Sequence, residues 1–146
     1  MNLLFSFAGR IGRGKFWLGV LCQFLLGLAA MALIYMLVPL DSMVVLGTDG
    51  QPVLNELGQP QFDYANPALM PAYIIYGVVT LLSLWWFFAI SIKRMHDRGR
   101  SGWWVLLMFL LMFVIVGSIW WLVDLGILEG EEGENRWGPN PVPQSD

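Results

Sequence analysis

Residues 103–123 read WWVLLMFLLMFVIVGSIWWLV, twenty-one positions without a charged side chain. At about 1.5 Å per residue, a helix of that length matches the roughly 30 Å of a bilayer's hydrocarbon. Two earlier stretches have the same character. Residues 72–92 read AYIIYGVVTLLSLWWFFAISI, and residues 16–38 read FWLGVLCQFLLGLAAMALIYMLV, where Gln23 is the one strongly polar side chain. Each run fits one crossing and none fits two. A helix satisfies its own backbone donors and acceptors in lipid. Helices of a soluble bundle carry a polar stripe at a 3.6-residue period, whereas these runs are apolar on all sides. The sequence predicts an all-α fold, an integral-membrane bundle of three transmembrane helices in a single membrane domain covering 1–146.

Composition agrees. The 146 residues are 57% hydrophobic and 13% charged, with a formal charge of −3. Soluble domains run at about 45–50% apolar and about 25% charged. The lack of a net basic excess speaks against a nucleic-acid partner. The single Cys22 excludes an internal disulfide and a cysteine-based metal cluster. Arg10, Arg13 and Lys15 followed by apolar residues and Ala30-Met31-Ala32 resemble a signal peptide. The run continues unbroken to Val38, and so reads as a retained span.

Basic residues cluster. Arg10, Arg13 and Lys15 precede the first run, and Lys93, Arg94, Arg98 and Arg100 fill the link 93–102. The loop 39–71 holds Asp41, Asp49, Glu56 and Asp63 and no Lys or Arg. Lys and Arg stay cytoplasmic, which predicts a cytoplasmic N-terminus and link and an external loop. Three crossings would then place the acidic tail 124–146 outside. Phe16-Trp17, Trp103-Trp104 and Trp120-Trp121 mark the borders, as Trp favours the headgroup level. A short interfacial segment is expected over Asn2 to Phe7. In the loop, Gly50-Gln51-Pro52 recurs as Gly58-Gln59-Pro60, turn chemistry that fits a small β-meander or an irregular loop. Gln23 matches Ser83 in depth by helical rise, and Gly77, Thr80 and Ser83 form a small-residue ridge for helix packing.

Three polar clusters flank the runs: FAGRIGRGKFW (7–17), KRMHDRGRSGWW (93–104) and EGEEGENRWGPNP (129–141). Their structural positions are Gly9, Phe16 and Trp17, then Gly99, Ser101, Gly102, Trp103 and Trp104, then Gly133, Asn135, Gly138, Pro139 and Pro141. Together they resemble a family of small bacterial inner-membrane proteins catalogued as domain of unknown function 805. The resemblance covers Phe7 to Pro141 apart from the external loop. It implies a multi-pass protein of the bacterial inner (plasma) membrane and brings no activity, substrate or catalytic residue.

The residues themselves offer a headgroup or anionic-ligand site built from Arg10, Arg13, Lys93, Arg94, His96, Asp97, Arg98 and Arg100. A juxtamembrane cation near an anionic leaflet contributes about 1 kcal/mol. Plain topology by itself accounts for the cations, but not for His96 or Asp97. Asp97 is expected to pair with an arginine and fix the turn, with Ser101 capping the third run. Glu129, Glu131, Glu132 and Glu134 read as a cation or partner site, or as a solvated tail anchored by Trp137. If the second and third clusters act together, they belong on one face. A bend at Gly117-Ser118 would reunite them, but it leaves two half-spans too short to cross, so three spans are the expectation. The runs hold no Asp, Glu, Lys or Arg, which speaks against a pump. The leading expectation is a non-enzymatic membrane protein whose basic cytoplasmic face binds anionic membrane lipids or a partner membrane protein. A homo-oligomeric channel or transporter accessory subunit is one alternative, and a membrane enzyme acting on lipid headgroups through His96 and Asp97 is another. No cofactor and no metal site are expected.

Overall fold

The computed structural model describes residues 6–38 and 43–142. The expected interfacial segment lies outside them as far as Phe5. The chain is mostly helical: α1 spans Arg13–Leu37, α2 Met70–Asp97, α3 Trp103–Leu111 and α4 Val116–Trp121. Two helical stretches, Arg13–Leu37 and Pro67–Asp97, are long and apolar enough to cross a membrane. None of the apolar window of α1 is buried against protein, which suits lipid as its surroundings. The chain divides into two compact units, Leu25–Leu82 and the remainder, Met1–Phe24 with Ser83–Asp146.

In the first of these, Val38, Leu69 and Ala72 form a small apolar core. α2 is entered through a 3₁₀ turn at Pro67–Leu69, where the Asn66 side chain accepts from the Ala68 N–H at 3.0 Å. Proline suits this position because its missing N–H would have no helical partner. Residues 43–63 make short antiparallel reversals joined by isolated bridges, Val44 to Phe62, Leu46 to Pro52 and Leu54 to Pro60. The repeated Gly-Gln-Pro segments lie at these reversals, and no described residue belongs to a full strand. The small-residue ridge does not pack as expected. Thr80 is exposed, and a Cβ on Gly77 would meet nothing within 4 Å.

The other unit has a core of Ile11, Phe16, Ile90, Met95, Val105, Met108 and Leu125, all fully buried. Gly19 lets α1 approach α2, since a Cβ there would lie 3.2 Å from Ile90. Gln23 Nε2 donates to the Ser83 carbonyl at 3.1 Å, at the depth that helical rise indicates. Phe16 and Phe87 contact the Trp121 ring, and Trp121 Nε1–H donates to Ser91 Oγ at 3.0 Å.

Residues 103–123 are not one helix. α3 runs through a 3₁₀ turn at Met112–Val114, reverses at Ile115 and returns as α4 and a π-helical turn, Leu122–Ile127. Ile115 has φ +62°, which a β-branched side chain rarely adopts. Gly117 makes the reversal possible, because a Cβ there would overlap the backbone of Met108, Leu111 and Met112. Each leg, Trp103–Val114 and Val116–Ile127, is 12 residues, or about 18 Å. That is too short for one crossing, so the third span expected from the sequence is replaced by a helical hairpin. The Ser101 cap is also corrected. Gly102 occupies the cap position without a side-chain bond, and Ser101 Oγ is a distant 3.5 Å from the Trp103 nitrogen.

Candidate functional site: an arginine clasp at one end of the helices

The hairpin returns the tail to the 93–102 link. The Glu131 N–H donates to the Asp97 carbonyl at 2.8 Å. Gly130 permits this approach, since a Cβ there would overlap the Asp97 carboxylate. The link and the tail, which three crossings would have separated, are therefore in direct contact.

α2 ends in a Schellman motif. The Gly99 N–H reaches the His96 carbonyl at 3.0 Å and the Arg100 N–H reaches that of Met95 at 3.1 Å. Gly99 has φ +68°, the left-handed conformation this motif requires. Arg94, His96, Arg98 and Arg100, with Asp97, are thereby presented to the tail.

Asp97 is the hub. It is 2% exposed and receives Arg10 Nε at 3.0 Å on one oxygen and Arg94 Nη1 on the other. It thus pairs with two arginines where the sequence suggested one. Arg10 also donates to the carbonyls of Gly133 (2.7 Å), Glu131 (2.6 Å) and Gly138 (3.2 Å). Arg94 donates to those of Leu125 and Leu128, and Arg98 to that of Glu129 at 2.7 Å. Buried guanidinium groups need such partners on every N–H. The carbonyls at the end of the π-helical turn suit them further, being the negative end of the helix dipole.

A second hub is Asp124, which the sequence reading left in the tail. It is 2% exposed. Arg100 Nη1 lies 2.7 Å from one oxygen, to which Trp120 Nε1 also donates at 3.1 Å. Arg98 Nη2 is 2.8 Å from the other, an ion pair not aligned as a hydrogen bond. A signal was present: an aspartate directly after an apolar run, four residues beyond a tryptophan.

His96 does not address Asp97. Its Nδ1 lies 3.3 Å from the Gly9 carbonyl, and its ring stacks on Trp137 at 3.7 Å and 5°. His96 lies beyond the apolar run, and burial pushes its pKa below the ordinary value, outweighing the Gly9 bond. A neutral ring donating from Nδ1 fits these contacts. With the Asp97 oxygens held by arginines, the two side chains do not form a base and its orienter. Asn135 donates to the His96 carbonyl at 3.0 Å and to Glu131 at 2.8 Å, and accepts from the Trp137 N–H at 2.9 Å. Trp137 is thus a stacking partner inside the clasp rather than a headgroup anchor for an external tail.

The remaining predicted residues are distributed as follows. Phe16 lies in the core, and Trp17 Nε1–H donates to the Gly126 carbonyl at 3.1 Å. Lys93 is buried, and Trp103 is 77% exposed. Gly9, Gly133 and Gly138 adopt positive φ. Arg13 pairs with Glu129 at 2.8 Å near the surface. Among the described residues no three metal-type ligands come together. A polar cavity of ≈180 Å³ opens between Arg13, Arg94, Asp97, Glu129 and Asn140.

Comparison with known proteins matches these motifs. The family model described as Protein of unknown function (DUF805) covers residues 4–139. Uncharacterized protein YiiR of Escherichia coli (strain K12) is 30% identical over 156 residues, spanning 92% of this chain and 85% of YiiR. Inner membrane protein YhaH of the same strain is 44% identical over 69 residues, 46% of this chain and 50% of its own. Inner membrane protein YhaI is 40% identical over 70 residues, 47% and 52% of the two chains. No solved structure matches. With its three motifs inside the matched region and its apolar helices of crossing length, this chain is an inner-membrane protein and belongs to the DUF805 family.

Proposed function

We propose that the chain is a non-enzymatic inner-membrane protein with two crossings and a re-entrant hairpin, whose cytoplasmic end meets anionic lipid headgroups. In this reading α1 and α2 cross, the N-terminus and the 93–102 link are cytoplasmic, and the loop 39–71 is external. The hairpin enters the inner leaflet and returns, so the tail is cytoplasmic as well. All eight Lys and Arg then lie on one side, which the positive-inside rule favours more strongly than three crossings would.

The observation that carries this reading is the clasp. Arg10 and Arg94 are fully engaged by Asp97 and backbone carbonyls, so they serve the fold. The cations left for a partner are Lys15 and Arg136, both exposed, while Arg13 and Arg100, whose side chains are 48% and 44% exposed, are paired with Glu129 and Asp124. Lys15 borders the first apolar run and Arg136 reaches the Gly99 carbonyl of the link, and Lys and Arg beside an apolar run meet an anionic leaflet. The clasp also supports retention of the first run, since Arg10, Phe16 and Trp17 all contact the later segments. Native mass spectrometry of the purified chain with its copurified lipids tests the lipid reading. Enrichment of phosphatidylglycerol or cardiolipin over phosphatidylethanolamine is the expected result, and retention in proportion to bulk membrane composition contradicts it.

A further inference from the structure

A groove of ≈430 Å³ opens beside the end of α2 and the start of α3. Phe7, Phe88, Ile92, Trp103 and Leu106 give it apolar walls. His96, Ser101 and Trp137 bring polar atoms to the same groove. Trp137 Nε1–H is buried with no acceptor from the protein, a costly condition for a donor. Arg136 lies over the Trp137 ring at 4.8 Å and reaches the Gly99 carbonyl at 3.5 Å. Among the described residues its charge meets no counter-ion. Arg100, between Gly99 and Ser101, already has its charge met by Asp124 at 2.7 Å, so Arg136 is the cation this groove offers. The groove is thus apolar along its walls, with the Ser101 hydroxyl and the Trp137 indole in its lining and the Arg136 guanidinium over the Trp137 ring. That asymmetry complements an amphiphile with an acyl chain and an anionic head, and a neutral apolar occupant would leave Arg136 unanswered.

We propose that this groove seats one anionic phospholipid, with an acyl chain along Ile92 and Leu106 and its phosphate at Arg136 and Ser101. The inference rests on the reading of the cytoplasmic end as a surface for anionic headgroups and narrows it to one seated molecule. It also gives Trp137 and Arg136 a role beyond holding the tail.

The test uses the full chain in vesicles containing phosphatidylglycerol with a photoreactive acyl chain, beside the matching phosphatidylcholine probe. Cross-linked peptides are mapped by mass spectrometry. Phosphatidylglycerol is expected to label the segments around Phe88–Leu106 and Trp137, in preference to phosphatidylcholine. Leu106→Trp fills the groove and Arg136→Gln removes the rim charge. Both residues are exposed, so both variants are expected to fold with an unchanged unfolding midpoint. Arg136→Gln should lower labelling at these segments about fivefold, the factor for one juxtamembrane charge, and Leu106→Trp should lower it by blocking the acyl chain. Equal labelling by the two probes, or labelling unchanged in both variants, overturns the assignment. If native mass spectrometry shows anionic enrichment while the cross-links map elsewhere, the groove is wrong and the broader reading stands. If there is no anionic enrichment at all, both fall.

Discussion

Replacing Asp97 by asparagine keeps the side chain's shape and removes its charge. In the native chain that carboxylate receives one N–H from Arg10 and one from Arg94 in an environment where all three side chains are 4% exposed or less. Hydrogen bonds to charged groups contribute about 1.5–3 kcal/mol each, and removing one partner of a buried ion pair costs about 3–5 kcal/mol. The substituted amide can still accept on its one oxygen, but its N–H groups then face a guanidinium, so the expected loss is about 3–5 kcal/mol. The contrasting change is Glu129→Gln. Its pair with Arg13 is made by side chains 81% and 48% exposed, and such pairs are worth about 0–1 kcal/mol. The eight tryptophans provide the signal for denaturation of the purified protein in mixed micelles. A difference of at least about 2 kcal/mol between the two variants is the expected outcome. If the two lose the same stability, Asp97 is not the hub and the buried arginines are held by the carbonyls alone. A cycle with Arg10→Gln should show coupling above about 0.5 kcal/mol, the threshold that separates contacting from independent sites.

Other changes probe the hairpin and the stack. Gly117→Val forces a Cβ into the backbone of Met108 and Leu111; it should open the hairpin and expose residues 128–142 to limited proteolysis in detergent. Ile115→Gly removes the strain of a positive φ, typically about 1–3 kcal/mol, against a backbone entropy cost of about 0.5–1 kcal/mol; a raised unfolding midpoint is expected. The depressed His96 pKa means that the unfolded chain takes up its proton at higher pH than the folded one. Stability from the neutral stacked ring is therefore present above about pH 6.5 and declines as pH falls below it. His96→Gln should flatten that part of the pH–stability curve, measured between about pH 7.5 and 5.

The sequence made much of this visible, for stated physical reasons. Charge-free runs of crossing length give the membrane, and the spacing of Gln23 and Ser83 gives their contact. The three polar clusters marked the residues of the clasp, but counting three spans put the third of them on the opposite side from the other two. What composition hides is reversal inside an apolar run. Residues 103–123 have the length of a span, and hydropathy does not distinguish one helix from two half-length legs. Gly117 was the local sign, but its meaning depends on Met108 and Leu111 backbones that lie close only after folding. The role of the arginines is hidden for a related reason. Positive-inside counting treats them as a surface, whereas Arg10 and Arg94 are buried by carbonyls of the tail, and backbone acceptors leave no mark in composition. Asp124 was likewise assigned to a solvated acidic tail because its partners, Arg98 and Arg100, come near only when the hairpin closes.

The central claim is that the tail returns to the side of the membrane occupied by the 93–102 link. Paired alkaline phosphatase and green fluorescent protein fusions after Gly99 and after Asp146 test it directly in living cells. The account predicts that fluorescent protein is bright and phosphatase inactive at both positions. An active phosphatase after Asp146 together with a cytoplasmic Gly99 contradicts it, since Asp97 and Glu131 would then stand on opposite sides of the bilayer.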